Sequence, residues 1–157
     1  MQRKSTLEIV IGNILDVNAD VIVNSWNMNL IPWWMLLPQG VSGAIKRRAG
    51  VRPFIELSKL GIIRPGNAVV TSGGNLACQA IIHVASLNCL WCSTYSIVQK
   101  CIEDALRIAD EKGYRSIAFP LVGAGTGGLD SGKVEQIIVE KASASTYSGH
   151  IIIVRRR

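Results

Sequence analysis

No apolar run in this 157-residue chain reaches the roughly 18 residues of a transmembrane helix. The most apolar stretch, Leu30–Leu37, is interrupted by Pro32 and closed by Pro38. Residues 1–10 alternate and carry Glu8, so they lack the apolar block of a secretory signal. A cytoplasmic location with no membrane partner is the resulting expectation. Cysteines number four, and Cys89-x-x-Cys92 is their single short chelating pair, with Cys101 and His83 as candidate companions. Structural zinc sites usually pair two such motifs, so reduced thiols, no metal and no resident cofactor are expected. The chain shows no Ser-His-Asp order, no paired carboxylates in a glycosidase-like context and no metal triad. His83 lies on an apolar strand and reads as a hydrogen-bonded core residue. With no internal repeat, linker or low-complexity segment, one domain over residues 1–157 is expected.

Apolar residues make up 48% of the chain and charged residues 18%, enough to build a core. Lys and Arg total 17 against 11 Asp and Glu, a net charge of +6. The basic residues concentrate at Lys46-Arg47-Arg48 and Arg155-Arg156-Arg157. Such a field attracts polyanions and favours a phosphate-bearing ligand, and it is the ground for expecting weak nucleic-acid binding. A solvated helix face and a charged tail are the plainer reading of the same residues. No aromatic-interleaved basic groove of the single-strand-binding kind is visible.

Leu7–Ile11 and Val21–Val23 read as buried strands, the second followed by a polar, glycine-bearing loop. Ser42 reads as the N-cap of a short helix carrying Ala44, Ile45 and Ala49 and ending at Gly50. Phe54–Leu60 gives another helical turn. Ala68–Thr71 and Ala80–Val84 are strands. Thr94–Lys112 is the clearest helix, with Val98, Cys101, Ile102, Ala105, Leu106 and Ala109 at helical spacing and Gly113 placed to end it. Ser116–Phe119 is a strand, Gly123–Gly128 a turn, Ser131–Ala142 a helix and Ile151–Val154 a last strand. Apolar strands alternating with helices imply an α/β fold with a mostly parallel sheet covered on both faces. Ligands of such sheets bind at loops leaving the C-terminal strand ends, here those after Val23 and Phe119.

The second of these loops runs Phe119-Pro-Leu-Val-Gly-Ala-Gly-Thr-Gly-Gly-Leu-Asp130. Its glycines let a ligand approach the main chain. Successive N–H groups of Gly123, Ala124, Gly125, Thr126 and Gly127 then form an anion nest, with the next helix adding its N-terminal partial charge. A phosphate or diphosphate is the natural guest. The loop lacks the Gly-Lys-Ser/Thr ending of a P-loop. Asn24 and Asn27 flank Ser25-Trp26 after a strand. Their amides offer donors and an acceptor, which suits a ribose, although turn asparagines also cap free backbone groups. Gln39-Gly40-Val41-Ser42-Gly43-Ala44-Ile45 places N–H groups at a helix start, where a second phosphate face can be met.

In this order the motifs resemble those of the macrodomain family across nearly the whole chain. Family members open with a strand ending Gly-Asp-Ile, matched by Gly12-Asn13-Ile14, and continue to Ile-Val-Asn-Ala-Ala-Asn, matched by Ile22-Val23-Asn24-Ser25-Trp26-Asn27. A Gly-Gly-Val-x-Gly-Ala-Ile loop corresponds to 39–45, Val-Ile-His to Ile81-Ile82-His83, and the strand, Pro and glycine loop to Phe119–Gly128. The resemblance implies a three-layer α/β/α fold and an ADP-ribose cleft. Adenine would lie at Asn13 and Ile14. The diphosphate would lie between Gly40, Val41 and Ser42 on one side and 123–127 on the other. The distal ribose would lie at Asn27, the residue then placed to act in any catalysis.

Three departures bear on activity. The adenine-reading Asp of the family is Asn13, which accepts without charge assistance. The Asp that follows Gly-Val in the hydrolytic branch is Ser42, a poor general base near neutral pH. The aromatic that covers the ribose in many members is Gly127. Trp33 and Trp34 stand between prolines; a replacement cover, an exposed partner patch and packing over the adjacent helix are the three readings. A reader of free or attached ADP-ribose is therefore expected first. A mono-ADP-ribosyl hydrolase or O-acetyl-ADP-ribose deacetylase using a bound water comes second, and an RNA or poly(ADP-ribose) binding module third.

Overall fold

The computed structural model describes residues 3–35 and 40–157. Ten regular elements follow one another: β1 (Thr6–Ile11), β2 (Val21–Trp26), α1 (Gly40–Ala49), α2 (Arg52–Ser58), β3 (Ala68–Ser72), β4 (Ala80–Ala85), α3 (Tyr95–Lys112), β5 (Ser116–Phe119), α4 (Ser131–Ala144) and β6 (His150–Arg155). Short 3-10 turns lie at Ile14–Asp16 and Trp33–Met35. The six strands form one sheet in the order β1-β6-β5-β2-β4-β3. All neighbours are parallel except β3, which runs antiparallel to β4.

The alternation of side chains across the pleat explains the three layers. Val21, Val23, Ile82, Val84, Ile117, Phe119, Ile151 and Ile153 point to one face and pack with α3 and α4. Ile22, Ile81, Ala118 and Ile152 point to the other and pack with Ile45 and Ala49 of α1 and Phe54 and Leu57 of α2. Thr94 caps α3 by accepting from Ile97 N–H, and Asp130 caps α4 by accepting from Lys133 N–H.

Three local expectations change. Helix α1 is described from Gly40, so Ser42 lies inside it and is not the N-cap; Gln39 lies outside the described residues. Strand β2 runs three residues beyond Val23, because Asn24, Ser25 and Trp26 continue the ladder opposite His83, Val84 and Ala85. Strand β1 is not buried. It is the outermost strand and pairs with β6 alone, and Leu7, Ile9 and Ile11 stay exposed, Ile11 at 63%.

One polar network crosses the sheet interior. Thr71 Oγ1 donates to Ser72 O and therefore accepts from Nε2–H of His83, 2.8 Å away. His83 Nδ1 is then left to accept from Asn24 Nδ2 at 3.0 Å. The ring also meets Phe54 and Trp26 edge-on, with centroids 5.8 and 6.4 Å apart. Complete burial lowers the His83 pKa to about 3, so the imidazole is held neutral.

Candidate functional site

Parallel strands end on one side of a sheet, and the segments leaving them meet there. Gly12-Asn13-Ile14 follows β1, Asn27 follows β2, Leu87 follows β4, Pro120–Gly127 follows β5, and Arg156 and Arg157 follow β6. With the first turn of α1 and the start of α4 they enclose a cleft of about 1610 Å³. This is the position predicted for a ligand of an open α/β sheet.

The 123–127 loop is built to bind through its backbone. Its own turn bonds use Ala124 N–H to Leu121 O, Gly128 N–H to Gly125 O and Leu129 N–H to Gly123 O. The N–H groups of Gly123, Gly125, Thr126 and Gly127 have no protein partner among the described residues. Gly123 takes φ +81°, and a Cβ on Gly127 would lie 2.5 Å from Gly123 O and 2.7 Å from Ser93 Cβ. Only glycine therefore fits at 127. Across the cleft, Gly40, Val41 and Ser42 form the first turn of α1, whose N–H groups have no intrahelical acceptor. The Ser42 hydroxyl is buried without a hydrogen-bond partner among the described residues.

Two asparagines of the lining have amides oriented by local bonds. Asn13 Oδ1 accepts from Leu15 N–H at 3.0 Å and caps the 3-10 turn. Asn27 Oδ1 accepts from Asn29 N–H at 2.7 Å, which leaves its Nδ2 donors to offer. Asn29, with φ +61°, is itself fixed by bonds from Trp26 Nε1 and to Leu57 O and Gly61 O. Cations dominate the described lining: Lys46, Arg47, Arg155, Arg156 and Arg157 against Asp16 and Glu135. Lys46 Nζ stands 5.0 Å from the Trp26 ring centroid, and burial lowers its pKa. Arg155 grips Glu135 through two bonds of 2.6 and 2.7 Å, which hold the carboxyl below the usual carboxylate range.

The Macro domain family model matches residues 23–138. The chain belongs to the macrodomain family. An Enterobacter sp. (strain 638) protein named O-acetyl-ADP-ribose deacetylase is 33% identical over 149 residues, covering 89% of this chain and 78% of the relative. An uncharacterized protein of Aeropyrum pernix is 31% identical over 153 residues, 96% of this chain and 78% of the relative. The Oceanobacillus iheyensis macrodomain solved with ADP superposes at a TM-score of 0.83 and 26% identity, covering 100% of this chain and 86% of that one.

In this macrodomain the cleft brings together Asn13, Ile14, Asn27, Gly40, Val41, Ser42 and the loop Gly123, Ala124, Gly125, Thr126, Gly127. Asn24 is not among them. It is 0% exposed inside β2, with Nδ2 on His83 and Oδ1 unpartnered, so its amide serves the core. Trp34 is 69% exposed and does not line the cleft. That exposure fits a partner patch better than burial against a helix, and the Trp33 side chain lies outside the described residues. Leu87, Trp91, Glu135 and Arg155–Arg157 line it although the sequence reading assigned them no role there. The strand-end rule that found the other loops, applied after Ala85 and Val154, marks the same segments. Among the described residues no three His, Cys, Asp or Glu side chains stand close enough to hold a metal ion, and Cys89 and Cys92 are exposed. No described helix is long and apolar enough to cross a membrane.

Proposed function

We propose that this macrodomain binds ADP-ribose, free or attached to another molecule, with residues 1–157 acting as one binding unit. The observation that carries the reading is that two sets of backbone donors, the 123–127 loop and the start of α1, line one cleft together with Asn13 and Asn27. Adenine is assigned to Asn13 and Ile14, the diphosphate to the two backbone sites and the distal ribose to Asn27. The basic lining adds long-range attraction for the diphosphate. Titration calorimetry with ADP-ribose, ADP and AMP tests this. Tightest binding of ADP-ribose supports it, and failure of all three to bind sinks it. Asn27→Ala removes a donor to the distal ribose and is expected to weaken ADP-ribose by about 1–3 kcal/mol. ADP, which lacks that sugar, should be affected much less in the same calorimeter.

Hydrolysis is the second reading, favoured by the deacetylase names among relatives at 33% identity and just below. The cleft lining offers no histidine and, among the described residues, no carboxylates besides Asp16 and Glu135. His83 is sealed in the core and neutral. The contribution left to the protein is to orient a water with Asn27 Nδ2, the ligand diphosphate accepting its proton, and to stabilise developing charge with backbone N–H groups. Release of acetate from O-acetyl-ADP-ribose, measured beside release of ADP-ribose from a modified protein, tests it. If turnover exists, Asn27→Ala should lower it further than it lowers affinity.

A further inference from the structure

We propose that Trp91 is the aromatic cover of the distal-ribose subsite and sets the preference of the cleft for ADP-ribose over ADP. This rests on the ligand placement just given. The 123–127 loop leaves no room for a side chain at Gly127, because a Cβ there would meet Gly123 O at 2.5 Å and Ser93 Cβ at 2.7 Å. Any aromatic ring over this part of the cleft therefore comes from another segment. The contact that closes position 127 also shows which segment lies against the loop: Ser93 follows Trp91 by two residues.

The other end of that segment is fastened beside Asn27. Ser86 N–H donates to Trp26 O at 3.0 Å, and the Ser86 and Ser25 hydroxyls are 2.7 Å apart. The turn carrying Trp91 thus spans from the ribose asparagine to the phosphate loop. Trp91 lines the cleft and is 40% exposed. The one other aromatic ring among the described lining residues is Trp26, which is buried against Phe54.

The backbone of Trp91 is strained, with φ +59°. A bulky aromatic in the left-handed region is costly unless its surroundings impose it. Four bonds do so here. Asn88 N–H donates to Cys92 O at 2.8 Å, Trp91 N–H donates to Asn88 O at 3.0 Å, and Asn88 Oδ1 accepts from Leu90 N–H and Cys92 N–H. The turn is rigid and presents the indole to the cleft. An indole face laid on a sugar excludes water from it and adds contact that ADP cannot use.

Calorimetry of wild type, Trp91→Gly and Trp91→Phe with ADP-ribose and ADP decides the matter. Glycine accepts the left-handed backbone, so Trp91→Gly removes the ring without adding backbone strain, and thermal unfolding beside the titrations checks that the variant is folded. ADP-ribose is expected to bind about tenfold more weakly to Trp91→Gly. ADP should bind as before, and Trp91→Phe should keep most of the preference. Unchanged ADP-ribose affinity, or equal losses for both ligands, overturns the assignment while the binding reading stands. Failure of wild type to bind ADP-ribose overturns both.

Discussion

Gly125→Glu should abolish ADP-ribose binding, by at least a hundredfold, without lowering the melting temperature. Two features of the loop lead to this. A Cβ on Gly125 meets no heavy atom within 4 Å, and its φ lies outside the left-handed region, so the fold tolerates a side chain there. The same open space faces the backbone donors assigned to the diphosphate. A carboxylate about 4 Å from a phosphate costs roughly 4 kcal/mol at the effective dielectric of a protein surface, on top of the volume it occupies. Gly127→Ala is the contrasting control. Its Cβ collides with Gly123 O and Ser93, so it should cost about 1–3 kcal/mol of stability through overpacking and lower the melting temperature. Calorimetry and thermal unfolding on both variants separate a position that faces the ligand from one that faces the protein. Retained affinity in Gly125→Glu would mean that the phosphate site lies elsewhere.

The layers of the fold were legible because each rests on a local pattern. The strands are apolar runs separated by helices, and α3 shows its period in Val98, Cys101, Ile102, Ala105, Leu106 and Ala109, all buried as expected. That the 123–127 loop lines the cleft was legible because glycine-rich loops leaving parallel strands face the ligand side of such a sheet. Three things were not. The end of β2 depends on Asn24 finding a partner in His83, 59 residues away, and a turn-forming residue type gives no warning of that. The exposure of β1 depends on its rank at the sheet edge, a property of strand order that apolarity does not carry. The role of 86–93 was hidden because Trp91 reaches the cleft through its left-handed backbone and the Asn88 clamp, not through a recognisable motif. Attention to aromatic residues fell on Trp33 and Trp34, which adjoin a glycine motif in sequence, while the described aromatic residues that line the cleft are Trp26 and Trp91.

Acid should unfold this protein sooner than its carboxylates alone would allow, and His83 is the reason. In the unfolded chain the imidazole titrates near 6.5; in the fold, burial holds it at about 3. The unfolded state therefore binds the extra proton between those values. Stability is fully present above pH 6.5 and is lost on acidification by about 1.4 kcal/mol per pH unit. From pH 6.5 to 5 the loss is about 2 kcal/mol, a substantial part of the stability of an ordinary domain. Glu56 and Glu135 do not account for a loss in that window, because their hydrogen bonds keep their pKa values below the ordinary one and they remain ionised. The neutral ring is further selected by its partners: Nδ1 must accept from Asn24, and a protonated ring has no acceptor to offer. His83→Gln should start less stable and lose little more between pH 7 and 5. Urea unfolding of both proteins at several pH values reads the difference, in which every group common to the two cancels. Parallel slopes would show that His83 is not the group being protonated. Asn24 belongs to β2, which ends at Trp26 immediately before Asn27. A ligand that binds the folded state alone should oppose this acid unfolding.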